Sequence, residues 1–346
     1  AGSVMSTDSE DGITWTTPQT KFTNRQVKRV RYDKAGSRLL IITTRDDGTA
    51  DDQALYGFGV TQVNSPTLAT SETNPTSYAF TDFTDTYLGK ATFAFNTHQL
   101  VVCDSNALGG PYTVKTPTGA SSGATHTYTK LAYGPGVGGS ASNYGGGQSN
   151  PGTLVAINGG TSGGVAVSTD RGATWTQYDA GATYRLPAGY TDIVFGNGRF
   201  VAIDPGDGSS LTKTAISFDG ISWYEHSISG ATDYTNISYG GSYDDPGSTY
   251  ESSGTFMLSG TGTQLAKSQD GAVWRITSDD STNYTLSASQ DWSDSAYSPY
   301  HKKWCVVASN SATFNLVQGW GAKPFARAVV ASDKVNEFFF FENGVY

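Results

Sequence analysis

The sequence has 346 residues and a formal charge of −9, from 22 Lys+Arg against 31 Asp+Glu, with only 15% charged side chains. Gly (42), Tyr (20), Phe (16) and Trp (7) are abundant, a composition too aromatic for disorder and too poor in helix formers for a helical chain. The acid excess excludes a nucleic-acid backbone as the expected partner, since that needs clustered Lys and Arg. No apolar run approaches the ~20 residues of a membrane helix, so no membrane insertion is expected.

The chain opens Ala-Gly-Ser without Met and without a secretory pattern, which reads as a processed end or an expression scar. The first recognisable element is Ser9-Glu-Asp11-Gly12-Ile-Thr-Trp15. It recurs as Ser168-Thr-Asp170-Arg-Gly172-Ala-Thr-Trp175, Ser217-Phe-Asp219-Gly220-Ile-Ser-Trp223 and Ser268-Gln-Asp270-Gly271-Ala-Val-Trp274. The Ser-to-Ser steps are 159, 49 and 51, and the first holds three steps of 53. Two degenerate copies are therefore expected between Ser9 and Ser168. Each copy predicts a self-contained hairpin cap. A strand ends at Ser, the Asp carboxylate accepts turn N–H groups, Gly supplies a positive φ, and Trp packs across the hairpin.

Between these caps, alternating strands followed by a turn and a β-branched strand predict further hairpins. In chain order they are 29–32 with 38–42, 90–95 with 99–102, 130–134 with 153–157, 192–195 with 200–203, 236–240 with 255–258, and 295–297 with 303–307. A seventh is 327–331 with 337–341. The turn positions Tyr32, Phe95, Tyr133, Phe195, Tyr239, Tyr297 and Ala331 recur about every 50 residues. Two strands from each hairpin and two from each cap make four-stranded modules. The expected fold is all-β, a seven-bladed β-propeller in one domain, 1–346, whose ring is closed by N- and C-terminal strands sharing one blade. Cys103 and Cys305 lie in strand-like runs and are expected to be free thiols.

The recurrent motif resembles the Asp box, or BNR repeat, of sialidases, other propeller glycoside hydrolases, sortilin-like receptors and photosystem assembly factors. With Phe195-Gly-Asn-Gly-Arg-Phe-Val-Ala-Ile203 ahead of Ser217–Trp223, the pattern looks like propeller domains of bacteriophage tail and virion-surface proteins. The resemblance implies a fold more than a function, because one scaffold carries many roles. It gives the box residues Ser9, Asp11, Gly12, Trp15, Ser168, Asp170, Gly172, Trp175, Ser217, Asp219, Gly220, Trp223, Ser268, Asp270, Gly271 and Trp274 a structural part.

A sialidase-type site needs converging arginines and a Tyr–Glu pair, and the arginines at 38, 171 and 199 fall in turns or a box. A glycosidase needs only two carboxylates ~5–9.5 Å apart, and the connections are rich in Asp. The histidines show no metal spacing, and neither a cofactor nor a metal is expected. The connections 62–87, 178–190 and 277–292 carry aromatics beside Asp and suit sugars, whose C–H faces stack while hydroxyls bond acceptors. Their ligand candidates are Tyr78, Phe80, Asp82, Phe83, Asp85, Tyr184, Tyr190, Tyr284, Asp291 and Trp292. The expected role is a non-catalytic virion-surface or tail module, contacting host-surface glycans or neighbouring virion proteins and open to homo-oligomerisation. The alternatives are a secreted glycoside hydrolase using paired loop carboxylates, and a peptide-binding assembly factor.

Overall fold

The computed structural model describes residues 3–9, 17, 19–23, 25–33, 38–45, 53–59, 67–68, 80–85, 91–95, 99–103, 112–119, 126–135, 152–206, 211–228, 234–240, 254–261, 265–277, 291–298, 303–308 and 326–331. Among these residues the chain is all β, without a helix. The strands in chain order begin with β1 (Ser3–Ser9) and β2 (Gln19–Thr23). Four strands follow as β3 (Arg25–Asp33), β4 (Arg38–Arg45), β5 (Gln53–Gly59) and β6 (Thr67–Leu68), then four more as β7 (Phe80–Asp85), β8 (Ala91–Phe95), β9 (Leu100–Cys103) and β10 (Tyr112–Lys115). The next group is β11 (Tyr128–Gly134), β12 (Thr153–Asn158), β13 (Val165–Ser168) and β14 (Thr176–Tyr178). After it come β15 (Asp192–Gly196), β16 (Arg199–Asp204), β17 (Lys213–Ser217) and β18 (Tyr224–Ser227). The last are β19 (Tyr234–Gly240), β20 (Thr255–Gly260), β21 (Leu265–Ser268), β22 (Arg275–Thr277), β23 (Trp292–Ser298), β24 (Lys303–Ala308) and β25 (Ala326–Ala331).

Five sheets are antiparallel meanders of four strands taken in chain order: β3–β6, β7–β10, β11–β14, β15–β18 and β19–β22. Among the described residues β23 and β24 form a pair, and β2, β1 and β25 form a three-stranded sheet. First strands lie side by side, β3 with β7, β7 with β11, β11 with β15, β15 with β19 and β19 with β23. β25 runs antiparallel to β1 from Val4↔Ala331 to Ser9↔Ala326, and both lie against β3.

Two strand assignments differ from the expectation. Residues 91–95 and 100–103 are the second and third strands of their sheet, and β7 is the first. The run Phe-Thr-Asp-Phe-Thr-Asp reads as a polar connection because it carries two carboxylates, yet Asp82 is fully buried. Its cost of burial is offset by a backbone hydrogen bond from the next sheet. The second difference is at the chain end: β25 pairs directly with β1, the place expected for 337–341, which lies outside the described residues.

The second strands explain the packing. Every residue of β12 is buried, as a strand covered on both faces requires. Along β16, Phe200 and Ala202 join the core shared with Val155, Ile157, Val165 and Val167, while Val201 and Ile203 join Ile237, Phe256 and Leu258 on the other side. This period of two makes each middle sheet the wall of two cores. Glycines set the spacing at the strand ends. The Cα of Gly196 abuts the ring of Tyr239, and a Cβ there would fall 2.2 Å from it; Gly240 meets Tyr297 in the same way.

Outer edges are covered by the incoming connection. Thr118 bonds Trp175 O and Gln177 N along β14, and Tyr184 O accepts from Trp223 N (2.9 Å) beside β18. An uncovered outer strand is an aggregation template, and these contacts occupy its free groups.

Candidate functional site

Five first strands open on one triplet, an aromatic residue, Thr or Ser, then a polar residue. These are Phe80-Thr-Asp82, Tyr128-Thr-Lys130, Tyr190-Thr-Asp192, Tyr234-Thr-Asn236 and Trp292-Ser-Asp294. In four of them the ladder skips one residue inside the triplet. Such a bulge sends the aromatic and the polar side chain to opposite sides. Tyr128, Tyr190, Tyr234 and Trp292 are among the largest fully buried side chains.

The polar members reach the next sheet. Asp82 Oδ2 accepts from Leu131 N at 2.8 Å. Asp192 Oδ2 accepts from Ile237 N (3.4 Å) and Asn236 Nδ2 (3.3 Å), while its Oδ1 accepts from Ile193 N (2.9 Å). Asn236 Nδ2 also donates to Asp294 Oδ1 at 3.2 Å. Lys130 Nζ stands 3.7 Å from Asp192 Oδ1. These acids are joints between first strands: Asp82 Oδ2, both oxygens of Asp192 and Asp294 Oδ1 accept from protein donors.

The recurrent turns share one bonding scheme. The Gly N–H donates to the Ser Oγ at 2.8 Å in all three described copies, at Gly172, Gly220 and Gly271. The Ser hydroxyl donates to the Asp carboxylate, at 2.8, 3.0 and 2.9 Å. The Trp indole N–H donates to the Gly carbonyl. Gly220 and Gly271 have φ of 79° and 73°, and a Cβ on either would collide with a valine of the preceding sheet. The turn is therefore not self-contained. Thr214 Oγ1 donates to Gly271 O, Arg199 Nη1 to Asp270 O, and Asn197 Nδ2 to Gln269 O, tying sheet β15–β18 to the next turn. Of the first copy, Ser9 ends β1, and Asp11, Gly12 and Trp15 lie outside the described residues.

The ligand candidates scatter. Tyr78 and Tyr284 lie outside the described residues, and Phe80, Phe83 and Asp85 lie on β7 rather than in a connection. Asp82, Tyr190 and Trp292 are buried and anchor first strands. The reason is the aromatic-x-polar triplet, whose recurrence in the sequence would have identified them. Asp291 is exposed and accepts from Thr261 Oγ1 at 3.2 Å.

Tyr184 is different. It is 58% exposed and packs against Tyr224, itself 45% exposed, with ring centroids 5.2 Å apart and planes tilted by 45°. Sequence reasoning missed Tyr224, which lies on the outermost strand right after a turn motif. Tyr184 sits in the connection between β14 and β15, and Arg185 pins that segment by donating to Ile221 O (3.0 Å) and lying over the Tyr178 ring (4.7 Å). The two tyrosines form an open aromatic shelf at a sheet edge.

Two polar groupings touch on catalysis. Tyr190 donates its hydroxyl to Glu225 Oε1 at 3.0 Å. Burial first, then the Glu225 charge, raises the phenol above its usual range, the reverse of what a tyrosine nucleophile needs. His126 Nε2 lies 3.2 Å from Asp179 Oδ1, and its Nδ1 is 3.1 Å from Asn158 Nδ2. Asn158 is fixed by Thr127 N, Gly160 N and Gly163 O, so this group pins the 159–164 loop. Among the described residues no cluster of three His, Cys, Asp or Glu is placed to hold a metal ion, and no helix is long and apolar enough to cross a membrane.

No family model matches the chain, and no curated protein does. Solved structures match in fold. "YCF48 bound to D1 peptide" is 13% identical with a TM-score of 0.54, over 89% of this chain and 84% of that one. YCF48 from Cyanidioschyzon merolae is 10% identical with a TM-score of 0.52, over 88% and 85%. The extracellular domain of the hybrid two-component system BT4673 from B. thetaiotaomicron is 9% identical with a TM-score of 0.52, over 90% of this chain and 35% of that one. These are β-propeller-like all-β folds, and at such identities the likeness speaks to fold alone.

Proposed function

We propose that the seven sheets are the blades of one closed propeller domain, with β25, β1 and β2 in a shared blade, and that the recurrent turns are Asp boxes. The β1–β25 register supports the closure, and the repeated Ser–Gly, Ser–Asp and Trp–Gly bonds support the boxes. Deleting residues 1–17 removes the strand that pairs on both sides, and the whole ring is expected to melt earlier. An unchanged melting temperature contradicts the closure.

On this scaffold the chain acts as a non-catalytic recognition module of a virion surface, contacting a host-surface glycan. The observation that carries the reading is the Tyr184–Tyr224 shelf, two exposed rings held by backbone and Arg185 contacts. Sugar C–H faces stack on such rings, and many copies on one particle turn weak single contacts into avidity. The engagement of Asp82, Asp192 and Asp294 between strands favours this over the glycoside hydrolase reading. The test is a glycan-array screen and a hydrolysis assay on the full chain and on Tyr224→Ala. The reading expects glycan binding that Tyr224→Ala loses with melting unchanged. Turnover of any bound saccharide overturns it. The neighbour solved with a D1 peptide supports a second reading as a peptide-binding assembly factor, for which peptide capture without glycan binding is the expected result.

A further inference from the structure

Sheet β19–β22 carries two cations side by side on its outer strands. Lys267 of β21 and Arg275 of β22 are direct cross-strand partners. Their facing is set by their neighbours. Leu265, two residues before Lys267, packs with Met257, Trp292, Trp304 and Val306, whereas Ala266 and Ile276 pack with Val201 and Ile216 on the other face. Lys267 and Arg275 therefore point toward the sheet that holds β23 and β24. Like charges directly opposite in a ladder are unfavourable. Among the described residues neither cation has a carboxylate partner. Burial first, then the Arg275 charge, pushes the Lys267 ammonium below its ordinary value.

On the two described strands of the facing sheet the acid is Asp294 of β23, which is buried and accepts from Asn236 Nδ2 and Ser295 N. The cation on those strands is Lys303, which opens β24. An arginine fork beside a lysine point charge is the pairing that recognises a carboxylate, sulfate or phosphate group.

We propose that Lys267 and Arg275 form a binding site for an oxyanion, a carboxylate, sulfate or phosphate group, on the face of sheet β19–β22 turned toward β23 and β24. The site is separate from the Tyr184–Tyr224 shelf and does not rest on it. Its competitors are Asp279 and Asp280, which follow Thr277 in the chain and lie outside the described residues.

The test uses the full chain at low ionic strength, with thermal melting and titration calorimetry in sodium sulfate against sodium chloride at matched ionic strength. Sulfate is expected to raise the melting temperature beyond chloride and to bind saturably. Lys267→Met is expected to melt higher than the parent in chloride, because repulsion is relieved, and to lose the sulfate response with at least a tenfold weaker affinity. Arg275→Gln serves as the second variant, with the same loss. A sulfated disaccharide and glucuronate are compared with inorganic sulfate. Tighter binding of the saccharides assigns the site to an acidic glycan, and tighter binding of sulfate assigns it to the free ion. No sulfate-specific response in the parent overturns the proposal, as does a response kept by both variants. A response that appears only in Asp279→Asn/Asp280→Asn also overturns it, since those acids then fill the site. A sulfate response retained in Tyr224→Ala separates this site from the glycan reading.

Discussion

Replacing Asp192 by Asn keeps the shape of the side chain and turns one acceptor oxygen into a donor. Both oxygens of Asp192 face donors: Oδ1 meets Ile193 N and the Lys130 ammonium, and Oδ2 meets Asn236 Nδ2 and Ile237 N. Whichever way the new amide turns, its NH2 confronts N–H groups, and its remaining oxygen serves only one side. In either orientation one buried backbone donor, Ile193 N or Ile237 N, loses its acceptor, while the second contact is to the partly exposed Lys130 or to Asn236, which keeps Asp294, so the expected loss is about 1–3 kcal/mol. The assay is urea unfolding followed by tryptophan fluorescence, where Trp223, 3% exposed, reports on the adjoining core. Asp291→Asn is the control, since Asp291 is exposed and accepts from Thr261 Oγ1, and a change within about 0.5 kcal/mol is expected there. A loss for Asp192→Asn no larger than for that control would refute the view that first-strand acids are joints.

Ser217→Ala removes the acceptor of the buried Gly220 N–H and is expected to cost ~1–3 kcal/mol in the same urea assay. Partial desolvation raises the carboxyls of Asp170, Asp219 and Asp270, but hydroxyl and backbone donors outweigh this and hold each below the ordinary 3.8. A depressed folded value means stability is full above 3.8 and is lost as pH falls through the lower folded value. The melting temperature is therefore expected to be level toward neutral pH and to fall on the acid side, with a smaller fall in Asp219→Asn. Gly196→Ala places a methyl against the Tyr239 ring, and overpacking of this kind is expected to lower stability by ~1–3 kcal/mol, read as a melting shift.

The repeat was legible because its physics is local. A Ser, an Asp and a Gly within four residues fix a turn by short-range bonds, so Ser217–Trp223 looks the same in sequence and in structure. The first hairpins at 130–134, 192–195, 236–240 and 295–297 were readable from alternation for the same reason. The misassigned strand β7 shows where locality ends. Asp82 is tolerable in a buried strand because Leu131, in another sheet, donates to it, and nothing near residue 82 announces that partner. Tyr184 and Tyr224 likewise meet across 40 residues because a connection bends back onto an outer strand. The connection 178–190 was read as a loop offered to a ligand, and at Tyr184 its backbone also closes a sheet edge.

Tyr184 does two separable things, and its backbone angle tells them apart. Its carbonyl caps the edge at Trp223 N, a task any residue performs. Its φ is 61°, in the left-handed region that costs an L-residue ~1–2 kcal/mol and glycine almost nothing. A protein built for edge protection alone would be better served by Gly at 184. The bulky ring, exposed and resting on Tyr224, is retained against that strain, and strain kept at an exposed site points to a use outside folding. Tyr184→Gly and Tyr184→Ala both delete the ring, but only Gly relieves the angle. Gly is therefore expected to be the more stable of the two by about 1 kcal/mol, after its larger unfolded-state entropy is set against the relief. Both variants are expected to lose glycan capture to the same extent. Equal stabilities would remove the strain argument, and full capture by either variant would remove the shelf from the binding surface.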